Sequence, residues 1–125
     1  MKFLVVDDSP TMRRVVKSTL QRIGYDDAVE AEDGIDGLRK LKENVIDFVI
    51  TDWNMPNLNG LEFVKVIRSR ESYYQNIPIL MITTRGNQDD VLQAIKVKVN
   101  NYIVKPFTPY LLNEKIDSIL KSFKK

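Results

Sequence analysis

Five short apolar runs alternate with five amphipathic stretches along this 125-residue chain. The runs fall near residues 3–6, 27–31, 47–51, 78–82 and 102–104. Between them, apolar residues recur at spacings of three and four. The sets are Met12, Val15, Val16, Leu20 and Ile23; Ile35, Leu38 and Leu41; Leu61, Val64 and Ile67; Val91, Leu92 and Ile95; and Leu111, Leu112, Ile116, Ile119, Leu120 and Phe123. That period places each set on one helical face. The runs FLVV, FVI and ILMI are unbroken rather than alternating, as expected of parallel strands covered on both sides. Ala28-Val29-Glu30-Ala31 is less apolar and predicts a strand nearer an edge. Strict alternation of strand and helix predicts a doubly wound α/β domain, a five-stranded parallel sheet with helices on both faces.

Boundary residues support this order. Ser9 before Pro10 predicts an N-cap followed by proline in the first turn, and Thr108-Pro109 repeats the pattern for the last helix. Gly24 suits a left-handed residue closing the first helix. No repeat, linker or low-complexity tract interrupts the chain, so residues 1–125 are expected to form a single domain with no output domain attached.

Composition narrows the chemistry by exclusion. The chain has no cysteine, which removes disulfides and thiolate chemistry. It has no histidine, which removes imidazole acid–base catalysis and the usual zinc sites. Any phosphohistidine must therefore belong to another protein. The net charge of +2 gives no reason to expect nucleic acid or membrane as a partner, and Arg13-Arg14, Lys121, Lys124 and Lys125 are expected to be solvated helix faces. Four apolar residues before Asp7 are too few for a signal peptide, and no run approaches a membrane span, so the expected compartment is cytoplasmic.

The candidate chemistry lies where strands end. In open parallel sheets ligands gather beyond the carboxyl ends of the strands. Asp7-Asp8 follow FLVV, Asp52 follows FVIT, Thr83-Thr84 close the ILMI run, and Lys105-Pro106 follow YIV. Adjacent carboxylates repel one another, and a bound cation relieves the repulsion. Magnesium suits such a site because it takes one or two carboxylates, keeps waters and accepts phosphate oxygens. Asp52 beside a metal could act as a nucleophile and form an acyl phosphate. Asn54 could offer its backbone carbonyl to the metal, with Pro56 and Gly60 shaping the loop. Thr83 could donate to a phosphoryl oxygen, and Lys105 could reach across as a point charge. Each residue alone is also compatible with an ordinary loop or strand-end position.

Taken together, Asp7-Asp8, Asp52, Thr83 and Lys105-Pro106-Phe107-Thr108 resemble, in order and spacing, the receiver domain of two-component response regulators. The stretches FLVVDDSPTMRRVV, TDWNMPNLNGLE and NNYIVKPFTP are similar to the stand-alone chemotaxis receivers in particular. The resemblance covers essentially the whole chain. It implies a flavodoxin-like sheet of order 2-1-3-4-5, with Asp52 accepting a phosphoryl group from a histidine kinase of the CheA type. It implies that Asp7, Asp8, Asp52 and the Asn54 carbonyl organise magnesium, and that Thr83 and Lys105 bind the phosphoryl oxygens. It also implies a cis Lys105-Pro106 bond and a switch pair, Thr83 and Tyr102. The output face would be the fourth helix, fifth strand and fifth helix, including Lys115. The target would be the flagellar motor switch protein (FliM-like), with a phosphatase as a further partner. The chain would be a monomer that catalyses only its own phosphorylation and dephosphorylation.

Two positions depart from that pattern. Thr84-Arg85 stand where the family usually has alanine and glutamate, so Arg85 could pair with the phosphoryl group or block a partner; a solvated arginine is the alternative. Lys98 stands where a glycine is common, so either the turn differs or strain is tolerated. Gly86, Asn87 and Gln88 also lack the basic character often found there. Other functions remain open at this point: a receiver in a phosphorelay or phosphate sink, a magnesium-dependent phosphohydrolase, or a flavodoxin-like electron carrier. The phosphohydrolase reading wants Asp-x-Asp rather than adjacent acids, and Asp8-Ser9-Pro10-Thr11 is not a flavin-phosphate cradle.

Overall fold

The computed structural model describes residues 1–123; Lys124 and Lys125, expected on a solvated helix face, lie outside the described residues. The element order is β1 (Phe3–Val6), α1 (Pro10–Arg22), β2 (Ala28–Ala31), α2 (Gly34–Glu43), β3 (Phe48–Thr51), α3 (Gly60–Arg68), β4 (Ile79–Thr83), α4 (Gln88–Lys96), β5 (Asn101–Val104) and α5 (Pro109–Ser122). The strands form one parallel sheet of order β2-β1-β3-β4-β5, the flavodoxin-like arrangement. The less apolar β2 is an edge strand, and every residue of β1, β3 and β4 is buried.

Alternation along the strands divides the core in two. Phe3, Val5, Phe48, Ile50, Leu80, Ile82 and Ile103 pack against Val16 and Leu20 of α1 and Leu112, Ile116 and Ile119 of α5. Leu4, Val6, Val49, Ile79 and Met81 point the other way, toward Leu41 of α2, Phe63, Val64 and Ile67 of α3, and Ala94 of α4. Three of the five phenylalanines, Phe3, Phe48 and Phe63, are fully enclosed. Each contributes about 2–3 kcal/mol of apolar burial.

Several expected core positions are exposed instead: Val15, Ile35, Leu92, Ile95 and Phe123. Two apolar stripes one residue apart are rotated by about 100° on a helix, and spacing alone cannot say which one meets the sheet. On α4 it is the stripe through Val91, Ala94 and Val97, where Ala94 is 0% exposed, rather than Leu92 and Ile95. On α1 the stripe through Val16, Thr19 and Leu20 wins. Thr19 can be buried there because its hydroxyl donates to the Val15 carbonyl at 2.8 Å.

All five helices carry a side-chain N-cap: Ser9, Asp33, Asn59, Asn87 and Thr108. α1 closes with Gly24 at φ 104°, its N–H donating to Gln21 and the next N–H, from Tyr25, to Leu20. α4 closes with the same pair of bonds, Lys98 to Ile95 and Val99 to Ala94, and Lys98 sits at φ 73°. The turn is thus retained and the strain accepted. Arg68 holds it in place, donating from Nε to the Lys98 carbonyl at 3.0 Å and from Nη2 to Asn100 Oδ1 at 2.9 Å. Lys98→Gly is expected to stabilise the fold. Relief of roughly 1 kcal/mol of left-handed strain against about 0.5 kcal/mol of added chain entropy leaves a gain of a few tenths. It would be read as a higher urea midpoint at unchanged slope.

Candidate functional site at the carboxyl end of the sheet

Parallel register brings the strand ends together. Val6 pairs with Thr51, so the next residues, Asp7 and Asp52, emerge side by side, and the Asp52 N–H donates to the Val6 carbonyl at 2.9 Å. Thr83 pairs with Val104 across β4 and β5, which sets Lys105 beside it, its N–H donating to the Thr83 carbonyl at 2.8 Å. The Lys105-Pro106 bond is cis.

The Lys105 ammonium reaches between two acids, with Nζ 3.0 Å from Asp7 Oδ2 and 3.2 Å from Asp52 Oδ2. The three side chains are only 6–11% exposed. Asp8 points outward, yet one carboxylate oxygen from each of Asp7, Asp8 and Asp52 lies within 4.8 Å of the others. Three carboxylates face one ammonium, so the cluster carries excess negative charge in a partly dry pocket. Such a donor set fits a divalent cation, which would relieve the repulsion.

Local bonds fix each acid. Asp7 Oδ1 accepts from the Ser9 N–H at 2.9 Å and Asp52 Oδ1 from the Trp53 N–H at 2.6 Å. Burial pushes the Asp7 carboxyl above its ordinary value and the Asp52 charge adds to this, while the Ser9 N–H and Lys105 oppose it. Native protein thus holds this proton at pH values where the unfolded chain has released it. Through Asp7, stability declines as pH rises from the ordinary carboxylate range through the native pKa, and then levels off. Asp7→Asn is therefore expected to raise metal-free stability at pH 7 relative to wild type and to flatten that slope, as measured by urea unfolding in EDTA across pH 4–8.

Arg13, expected to be solvated, is instead 15% exposed. Its Nη1 donates to the Asp7 carbonyl at 2.6 Å and its Nε to Glu30 at 2.9 Å, pinning the acidic loop to β2. Arg14 is exposed as expected. On the other side of the cluster, Gly60 lets α3 begin hard against the loop after Asp52, its N–H donating to the Trp53 carbonyl at 2.7 Å. Neither Arg13 nor the depth of this approach was signalled by spacing, because both contacts cross between separate loops.

Thr83 is fully buried at the end of β4, its hydroxyl accepting from the Arg85 N–H at 3.4 Å, while Thr84 is exposed. Arg85 stays about two-fifths exposed and makes contacts at the rim rather than with Asp52. Its Nε donates to Asn54 Oδ1 at 2.9 Å, its Nη1 lies 3.4 Å from Asp90, and its guanidinium carbon lies 4.7 Å from the centre of the Trp53 ring. Tyr102, on β5, is half-buried and donates its hydroxyl to the Arg85 carbonyl at 2.5 Å. Burial, reinforced by Asp90 and Asp52 and opposed by Arg85, pushes this phenol up to about 12, so it stays a donor at neutral pH. Lys115, on α5, is partly exposed and joins none of these bonds among the described residues.

Acids, hydroxyl and ammonium thus collect over one end of an open parallel sheet, the place where ligands of doubly wound α/β proteins gather. Residues 3–117 match the response regulator receiver domain, and the chain belongs to that family of phosphorylation-switched signalling domains. It is 55% identical to the chemotaxis protein CheY1 of Helicobacter pylori, over 96% of this chain and 97% of that protein. Among solved structures, it is similar to the chemotaxis protein CheY4 of Vibrio cholerae, with a TM-score of 0.85 and 38% identity over 94% of this chain and 97% of that one. A receiver domain of a sensor histidine kinase from Pseudomonas aeruginosa, with a magnesium ion coordinated in its active-site cleft, matches with a TM-score of 0.84 and 26% identity over 96% and 97% of the two chains. Among the described residues no helix is long and apolar enough to cross a membrane.

Proposed function

We propose that this chain is a chemotaxis response regulator whose Asp52 accepts a phosphoryl group from a histidine kinase and whose α4–β5–α5 face then addresses the flagellar motor switch. The observation that carries this reading is the Lys105 ammonium held between Asp7 and Asp52, at 3.0 and 3.2 Å, at the carboxyl end of the sheet. Asp7, Asp8, Asp52 and the Asn54 carbonyl are the groups that would hold magnesium. When bound, that ion supplies neutralisation of carboxylate and phosphoryl charge.

The chain's own residues do the rest. Asp52 Oδ attacks the phosphorus of a phosphoimidazole on the kinase whose other ring nitrogen is protonated; the P–N bond breaks, its electron pair returns to the ring, an acyl phosphate forms and neutral imidazole remains on the donor protein. Lys105 would follow the transferred oxygens and Thr83 would donate its hydroxyl to one of them, so positioning and charge carry the step. Hydrolysis of the acyl phosphate resets Asp52, and the chain turns over no other substrate. Exposed Leu92, Ile95 and Val104 on α4 and β5 supply apolar area for a partner, with Tyr102 on β5 and Lys115 on α5 as further contacts. The protein works as a cytoplasmic monomer, and a phosphatase acting on phospho-Asp52 completes the cycle.

Magnesium and acetyl phosphate together should add the mass of one phosphoryl group, transiently, and quench or shift Trp53 emission. Omitting magnesium or adding EDTA should remove both effects. Persistent absence of labelling, with the kinase as well as with acetyl phosphate, would overturn the reading.

A further inference from the structure

Asp7 is held at every polar atom it has. Its N–H donates to the Ala31 carbonyl at 3.1 Å, its Oδ1 accepts from the Ser9 N–H and its Oδ2 from Lys105. Its carbonyl accepts from Arg13 Nη1 at 2.6 Å. Asp8 differs: it is exposed, and its carboxylate accepts no hydrogen bond among the described residues. Even so, one of its oxygens stands within 4.8 Å of those of Asp7 and Asp52. Only the backbone is left to aim it. The Asp7 carbonyl belongs to the planar peptide that leads to Asp8, so a bond to that oxygen sets the direction in which Asp8 leaves.

On the receiver reading, we propose that Arg13 is a positioning residue for the cation site: through the peptide it grips, it aims Asp8, the one acid of the three whose side chain is otherwise free. A ligand that swings must be ordered when the ion binds, and that entropy is subtracted from the affinity. Arg13 supplies the order beforehand, because it is itself fixed. Its Nε donates to Glu30 Oε1 at 2.9 Å, and Lys17, four residues further along α1, reaches Glu30 Oε2 at 3.2 Å. Among the described residues the guanidinium pairs with Glu30 on β2 and with none of the three acids of the cluster. Glu30 thereby offsets a positive charge that would otherwise oppose a dication close by.

Charge and positioning predict opposite signs. Removing a cation beside a dication site should tighten binding, whereas freeing Asp8 should weaken it. The probe is magnesium alone, titrated against the emission of Trp53, the only tryptophan in the chain, whose N–H donates to Asp52 Oδ1. Arg13→Met is expected to weaken magnesium binding about ten-fold, the lower end for groups that orient metal ligands. Arg13→Lys keeps the charge but lacks the planar fork that bonds the Asp7 carbonyl and Glu30 together, and should fall between Arg13→Met and wild type. Lys17→Met removes a cation from the same Glu30 cluster without touching Asp7, and should leave the affinity unchanged. In an Asp8→Asn background, Arg13→Met should have little further effect, because the ligand it aims is already gone.

If wild type binds magnesium and the Arg13 variants, shown to be folded by their urea transitions, bind it equally or more tightly, the positioning role is overturned while the receiver reading stands. A full ten-fold loss persisting beside Asp8→Asn would also overturn it, since Arg13 would then act elsewhere than on Asp8. Should Arg13→Met fail to fold, Arg13→Lys carries the same comparisons. If wild type neither responds to magnesium nor takes up a phosphoryl group from acetyl phosphate or the kinase, the receiver reading fails and the positioning role with it.

Discussion

Asparagine at position 52 is expected to abolish phosphoryl uptake. The substitution changes one oxygen into an amide nitrogen and leaves the volume of the side chain nearly unchanged. It removes the nucleophile of the proposed transfer, in which the rest of the site would only position and neutralise. Labelling by magnesium and acetyl phosphate, followed by intact mass, should fall by at least about 100-fold, the scale on which loss of a reacting group is felt. Folding should not suffer. Asp52 is one of three carboxylates facing a single ammonium, and its Oδ1 accepts only from the neighbouring Trp53 N–H. An amide oxygen can take that bond; the ion pair from Lys105 to Asp52 Oδ2 is lost, but Lys105 keeps Asp7 as its partner and one negative charge leaves the cluster. Thermal unfolding without magnesium should therefore show the variant at least as stable as wild type. A labelled Asp52→Asn protein would place the phosphoryl group elsewhere and remove the basis for the proposed mechanism.

Alanine at position 60 should do the reverse, damaging the site by damaging the fold. A Cβ on Gly60 would lie 2.0 Å from the Asp52 carbonyl oxygen and 2.8 Å from the Trp53 Cα. Both are backbone atoms of the loop that starts at Asp52, so no rotamer change can make room. Either α3 retreats, opening the packing of fully buried Phe63 and Val64, or the loop carrying Asp52 moves and breaks the bond from the Gly60 N–H to the Trp53 carbonyl. Overpacking of this kind costs about 3 kcal/mol, at the high end because backbone must yield. The urea midpoint should drop accordingly, and the fraction that folds should label more slowly than wild type. A Gly60→Ala protein of wild-type stability would show that the start of α3 can shift freely.

Much of the fold was legible because burial imposes a pattern. Strands covered on both faces must be unbroken in apolar residues, and FLVV, FVI and ILMI are. Ser9-Pro10, Gly24 and Thr108-Pro109 mark ends through local backbone chemistry that needs no tertiary information. Asp33, Asn59 and Asn87 cap the other helices by the same rule, and their residue types were equally open to reading. The exposure of Leu92 and Ile95 was not legible. Val91, Ala94 and Val97 form a competing stripe, and only the sheet beneath decides which one is covered.

The site divides in a similar way. Asp7, Asp8, Asp52, Thr83 and Lys105 could be proposed together because a parallel sheet delivers all its strand ends to one edge. The order and residue types therefore carried the candidate set, the expectation of a cation there and the family resemblance. The engagement of Arg13 with Asp7 and Glu30, the retention of a left-handed turn at Lys98 and the clasp of Arg85 on Asn54, Trp53 and Asp90 were decided in three dimensions. The physical reason is common to all three. Strand and helix periodicity, caps and turns are dictated by neighbours within a few positions, so one dimension suffices to write them. A long cationic side chain has several partners within reach, and which of them it meets depends on loops that approach only after the sheet has formed.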